Sequence, residues 1–165
     1  MPETATLSPS RQRLLDSLAH RQPDRIPIDL GGSAVTGIHV SCVAALRDWY
    51  GLEKRPVMVH EPYQMLGFVE EDLRLAMGID VTGVFPRNTM FGFPNSAWRE
   101  WDFRGLPVLV SAEFRTVVEP NGDILIFPEG DTSAPPSGRM PLGSAFFDTI
   151  VRQPPLSDDT LDIQD

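Results

Sequence analysis

The sequence predicts an α/β fold of the kind that opens an α/β barrel, and three observations predict it. Up to residue 86 the segments read helix, strand, helix, helix, strand. The run 79–85, IDVTGVF, is β-branched and apolar on both faces, as expected of a parallel strand buried on both sides. Past Arg87 helical periodicity stops, and Asn121-Gly122 between two β-rich runs signals an antiparallel hairpin, read as an insertion after the second barrel strand.

The elements follow in order. Residues 1–7 read as a disordered lead. Ser8 suits a helix cap and Pro9 the first turn. Leu14, Leu15 and Leu18 share a face, which predicts an amphipathic helix over 9–20. Pro23 discourages its continuation. The stretch 25–30 alternates, with Ile26, Ile28 and Leu30 on one side and Pro27 and Asp29 on the other, and closes on Gly31-Gly32. It reads as a short strand and a tight turn. Val43, Leu46 and Tyr50 predict a second helix stopped by Gly51.

A connector, 52–60, carries the short apolar piece 56–59. From Pro62 the strongest helical stripe begins: Leu66, Val69, Leu73 and Ala76, flanked by Met65 and Met77, with Glu70, Glu71 and Asp72 on or near the other face and Gly78 as the stop. Pro86 closes the 79–85 strand. Residues 98–103 alternate, and 113–118 and 123–127 are the β-rich runs of the hairpin. The stretch 129–143 is rich in Gly, Pro and Ser and reads as a loop, with Phe146 and Phe147 docking its end.

Charge and composition bound the function. A net charge of −9 disfavours nucleic acid, which needs a basic face; Arg11, Arg13, Arg21 and Arg25 are spread out. The single cysteine, Cys42, rules out a disulfide within the chain and reads as a small buried hydrophobe. No apolar run approaches the roughly 18 residues of a membrane span. The first ten residues lack the basic start and apolar core of a signal peptide, so a cytoplasmic location is the default expectation.

The candidate chemistry sits on the loop after residue 29. A strand-to-helix loop would deliver Asp29, Ser33, Thr36 and His39, and in α/β barrels sites are built on such loops. Asp29 and His39 are the candidate catalytic pair, for acid–base work or for holding a polar substrate. The alternative is that Asp29 caps its own turn and His39 stands at a helix start. Gly31 and Gly32 let the backbone approach a phosphate or carboxylate, although no GxGxxG or P-loop pattern is present. Thr36, Arg87 and Asn88 complete the candidate ligand-binding set, Arg87 as an anion contact or as a solvated loop residue. His60-Glu61 fails as HExxH, because Gln64 replaces the second His and Pro62 interrupts the helix. No Cys/His cluster offers ordinary zinc spacing. Trp98 and Trp101, three apart, would face opposite ways, one into the core and one free to stack on a ligand.

PDRIPIDLGG, then TGIH, then the run YQML…VEEDLRLAMGIDVTGVFP resemble the uroporphyrinogen decarboxylase superfamily, and within it the branch of corrinoid and methyl-transfer proteins. Residues 11–85 and 122–148 carry the resemblance. It implies the N-terminal part of a TIM (β/α)8 barrel, a small-molecule substrate, and tetrapyrrole or corrinoid-linked methyl-transfer chemistry, with a corrinoid protein as a partner. The family's decarboxylases carry arginines in the loop after the first strand and an aspartate after the second. Here those places read GGSAVTGIH and Pro86-Arg87-Asn88, which weighs against decarboxylating a polycarboxylate tetrapyrrole. The methyltransferase branch holds zinc late in the barrel, so zinc or corrinoid would come from the rest of a barrel or from a partner.

Such a barrel takes about 250 residues, more than the 165 present. The expected organisation is therefore a lead over 1–7, a partial barrel domain over 8–155 (an opening to 86, a β insertion over 87–128 and a docking segment over 129–155) and an acidic tail over 156–165. The chain alone is expected to be inactive as an enzyme. The alternative is a non-catalytic binding or assembly module that self-associates through open sheet edges.

Overall fold

A computed structural model describes residues 7–89 and 92–150. The helices are α1 (Pro9–Leu18), α2 (Val40–Trp49) and α3 (Glu71–Ala76). The strands are β1 (Val57–Glu61), β2 (Leu66–Gly67), β3 (Trp98–Phe103), β4 (Leu106–Ser111), β5 (Thr116–Val118), β6 (Ile124–Ile126), β7 (Gly138–Met140) and β8 (Asp148–Thr149). They form two four-stranded sheets, ordered β2-β1-β4-β3 and β5-β6-β7-β8. Among the described residues β1 and β4 make the one parallel strand pair, and every other pair is antiparallel.

The expected barrel opening is therefore corrected: three helices and two mixed or antiparallel sheets do not make a (β/α)8 arrangement. Its two anticipated parallel strands are the reason. Residues 25–30 and 79–85 join no ladder, and the first run bends at both ends. They meet through the Asp80 N–H donating to Ile28 O at 2.9 Å and the Ile28 N–H donating to the Asp80 carboxylate at 2.9 Å. Pro27 removes a donor from one run. Ile26 and Val84 are 82% and 97% exposed, so neither run is buried on both faces.

The 62–78 stripe is corrected likewise. Only Glu71–Ala76 is α-helical in it. Upstream, the Glu61 carboxylate accepts from the N–H groups of Tyr63 (2.9 Å) and Gln64 (2.8 Å), and Met65 turns to φ 54, which breaks a helix before Leu66. Residues read as a connector become β1 instead. The stretch 129–143 also contributes a strand, β7. β5 and β6 do form a hairpin around Asn121-Gly122, with Val118 opposite Ile124, inside the second sheet.

α1 starts as its residues dictate, with Ser8 Oγ accepting from the Arg11 N–H and Pro9 in the first turn. Its leucines do not reach the core, and no α1 residue is buried. Ions fasten it. Arg13 donates to Asp24 at 2.6 and 2.8 Å and to Asp80 at 2.9 Å, and Arg25 reaches the same Asp80 at 2.8 and 2.9 Å. Burial pushes the Asp80 carboxyl up, but donation from the Ile28 N–H, Ser10, Arg13 and Arg25 outweighs it and holds the group well below the usual carboxylate range.

α2 lies directly on β2. A Cβ on Gly67 would come 2.8 Å from Val43 Cγ2 and 2.9 Å from Val40 Cα, so only glycine permits this approach. Val40 and Val43 seal the contact, and Arg47, 2% exposed, ties α2 to Asp72 in the first turn of α3 and to its N-cap Glu70. The core continues through Val57, Val59, Val108 and Val110 to Phe114, Ile126 and Phe147, so one apolar cluster backs both sheets. No described helix is long and apolar enough to cross a membrane.

Candidate functional site

The loop after residue 29 uses its polar groups on itself. Asp29 Oδ1 accepts from the Gly32 N–H (3.0 Å) and from Thr36 Oγ1 (3.1 Å), and the Gly31 N–H donates to Thr36 O (2.9 Å). Ser33 N–H donates to Thr36 Oγ1 at 3.2 Å. The aspartate thus bonds the backbone three residues on, and a threonine closes the loop. His39 is the N-cap of α2. Its Nε2 lies 2.9 Å from Ala145 O, a pure acceptor, so Nε2 carries the proton and Nδ1 accepts from Ser41. The ring also packs on Phe103, with centroids 5.4 Å apart. Asp29 and His39 thus belong to separate hydrogen-bond networks. Arg87 and Asn88 stand on an exposed turn, where Arg87 O accepts from the Asn95 N–H (2.9 Å) and Asn88 bridges to Pro94. Cys42, read as buried, is exposed.

A different group of residues surrounds an open space. Strand periodicity puts Met58 and His60, two apart on β1, on the same side. Phe68 joins them because its N–H donates to Met58 O at 2.7 Å just after β2. Phe85 arrives at the end of the 79–85 run, and Asn95 and Trp98 come from the entry to β3. Together they line a cleft of about 200 Å³. The walls are aromatic: His60 lies 4.5 Å from Phe85 and 6.4 Å from Phe68, and the two phenylalanines are edge to face at 5.5 Å.

Two polar atoms of these residues have no hydrogen-bond partner among the described residues. His60 is 8% exposed, and its buried Nε2 has no partner among the described residues. Asn95 donates through Nδ2 to Pro86 O at 2.9 Å, which fixes the amide orientation and leaves Oδ1 buried and without a partner among the described residues. A buried polar atom without a partner costs about 1–3 kcal/mol, so each of the two calls for one.

Burial lowers the His60 pKa from 6.5 to about 4, so the imidazole is neutral at pH 7. A stability effect follows with a definite sign. As pH falls below 6.5 the unfolded chain takes up a proton that the folded chain refuses until about pH 4. Stability is therefore full above that window and declines through it, by up to about 3 kcal/mol. Urea midpoints measured from pH 7 to pH 4 should show this slope, and His60→Asn should flatten it.

A second cleft of about 300 Å³ adjoins the first and shares Phe68 and Phe85 with it. Gly31 lines it, and a Cβ there would come 2.8 Å from Val69 Cγ2, on a backbone at φ 81 that disfavours side chains. Arg74 and Glu71 line it too, paired at 3.6 Å. So Gly31 from the sequence-predicted loop borders a cleft, while Asp29, Thr36, His39, Arg87 and Asn88 line neither of these two. Trp98 lines the His60 cleft and Trp101 packs on Phe114 at 5.2 Å, so the two tryptophans divide as their spacing predicts.

Sequence reasoning missed His60 and Asn95. A signal existed for the first: VMVH alternates, with Val57 and Val59 buried opposite Met58 and His60. Nothing local marks Asn95. Among the described residues no group of three or more His, Cys, Asp or Glu side chains is arranged to hold a metal ion. No protein-family model, curated protein or solved structure matches the chain.

Proposed function

We propose that this chain is a small-molecule-binding domain whose ligand enters the His60 cleft. The observation that carries this reading is the buried His60 Nε2 without a partner, in a cleft walled by Phe68, Phe85 and Trp98. Small-molecule sites combine such an apolar lining with a few placed polar groups. Binding is favoured over catalysis by the chain alone, because Asp29 and His39 are occupied by Gly32, Thr36, Ser41 and Ala145.

The motifs that resemble the uroporphyrinogen decarboxylase superfamily support a chemical context for that ligand. In it the domain serves tetrapyrrole or corrinoid-linked methyl transfer in the cytoplasm, beside a corrinoid protein that brings the cofactor and any zinc. A second reading, self-association through a sheet edge, draws on β5. This edge strand leaves Val117 42% and Val118 66% exposed. Mass by light scattering that rises with concentration would favour it.

Imidazole-¹⁵N spectra test the main reading. Anionic, cationic and neutral fragments are added in turn, with hydroxocobalamin and uroporphyrin III as probes of the resemblance. At least one should move the His60 Nε2 resonance. If none does, the ligand-site reading fails; if simple fragments do and both macrocycles do not, the methyl-transfer context alone fails.

A further inference from the structure

The bonding capacity of the His60 cleft narrows its ligand, and the inference rests on the ligand-site reading above. We infer that the cleft selects a neutral, flat nitrogen heterocycle that presents a ring N–H, as a lactam or azole does, and rejects organic anions.

Asn95 sets the first condition. Its Nδ2 is committed to Pro86 O, a group that only accepts, so the atom left over is Oδ1, and Oδ1 only accepts. The ligand must therefore donate. His60 sets the second. A neutral imidazole offers either a proton or a lone pair at Nε2, and no charge in either case. A lactam edge, with N–H beside C=O, matches both groups in kind: it carries the donor that Asn95 Oδ1 needs and an acceptor for a protonated Nε2. An azole meets them with N–H and ring nitrogen.

Charge sets the third condition. Met58, His60, Phe68, Phe85, Asn95 and Trp98 carry no formal charge between them at neutral pH. Arg74 lines the adjoining cleft and has Glu71 and Ile79 O as partners. A carboxylate entering the His60 cleft would lose its water, meet no cation there and face the Asn95 oxygen. That desolvation is not repaid. Shape sets the last. Three aromatic rings and a methionine suit the faces of a flat ring. A volume of about 200 Å³ takes a head group of one or two rings, since drug-sized ligands need about 300 Å³ or more.

Three matched probes test this by calorimetry on the full chain. Quinolin-2(1H)-one has the flat lactam edge. Its 1-methyl derivative keeps the ring and loses the N–H. Quinoline-2-carboxylate keeps the ring system and adds the charge. The lactam should bind at least about tenfold more tightly than the 1-methyl compound, one hydrogen bond to a buried acceptor, and the carboxylate should bind most weakly. Asn95→Leu should bring the lactam and the 1-methyl compound to equal affinity. Should that variant fail to fold, the comparison of the two compounds on the unaltered protein still decides. Equal affinity of those two on the unaltered protein overturns the inference, as does preference for the carboxylate or no binding by any of the three. Binding by the carboxylate alone would leave the ligand site standing while removing the neutral N–H donor as its occupant.

Discussion

Asp80→Ala should free α1 and residues 19–28 from the body of the protein. The Asp80 side chain is completely buried between Arg13 and Arg25 and also accepts from the Ile28 N–H. Removing it leaves the Ile28 N–H without its acceptor and takes away the anion shared by two guanidinium groups, of which Arg13 keeps Asp24 and Arg25 keeps Gly78 O. Breaking such a buried arrangement from one side costs about 3–5 kcal/mol. The lower end applies here, because Arg25 is 38% exposed and recovers water. Little apolar burial compensates, since no α1 residue is fully buried. The expected result is a lowered urea midpoint and rapid proteolysis after Arg21 or Arg25. Asp80→Asn keeps an acceptor for the Ile28 N–H and should lose less. Acid should reproduce the effect in part. The carboxyl is held below its ordinary value, so its stabilising share is complete above about pH 4 and declines as pH falls further. That window lies below the one assigned to His60, and the two variants separate them.

Phe114→Ala should cost about as much by another route. Phe114 is 1% exposed, and its ring meets Phe93 at 5.7 Å, Trp101 at 5.2 Å and Phe147 at 6.5 Å. Trp101 belongs to the first sheet, and Phe147 immediately precedes β8 of the second. Truncating a buried phenylalanine costs about 3–5 kcal/mol through lost burial and the cavity left behind. Hydrogen exchange should rise in both sheets, which distinguishes this change from Asp80→Ala, where the rise should be confined to the N-terminal segment and its neighbour 78–80. Phe114→Leu should recover part of the loss.

What was legible in the sequence was local. Ser8-Pro9 announces α1, Val43 and Leu46 announce α2, and Asn121-Gly122 announces the β5–β6 hairpin, because caps, helical stripes and tight turns are settled by neighbours. What failed depended on distant partners. IDVTGVF has strand composition, but a strand needs a ladder, and Pro27 and the exposed Val84 leave these runs without one. Leu66, Val69 and Leu73 have helical spacing, yet Glu61 captures the amides of Tyr63 and Gln64 and turns the chain first. The candidate loop shows the same division. Asp29 had a local structural reading beside the catalytic one, and its bonds to Gly32 and Thr36 are the local one. His60 becomes notable only when Phe68, Phe85 and Asn95 arrive from three other segments.

The bond from His39 Nε2 to Ala145 O spans 106 residues, and Phe147 N–H reaches back to Tyr63 O in the same region. Contacts of such long range form late, because the intervening chain must be ordered first. At a synthesis rate of about 5–20 residues per second, the ribosome takes several seconds or more to supply the far partner. Throughout that interval α2 can dock on β2 while the His39 ring has Ser41, and later Phe103, but no distant carbonyl. The first sheet therefore waits, unsealed, for a segment made 106 residues after His39, and this is the period in which a chaperone or a second copy of the chain would find it open.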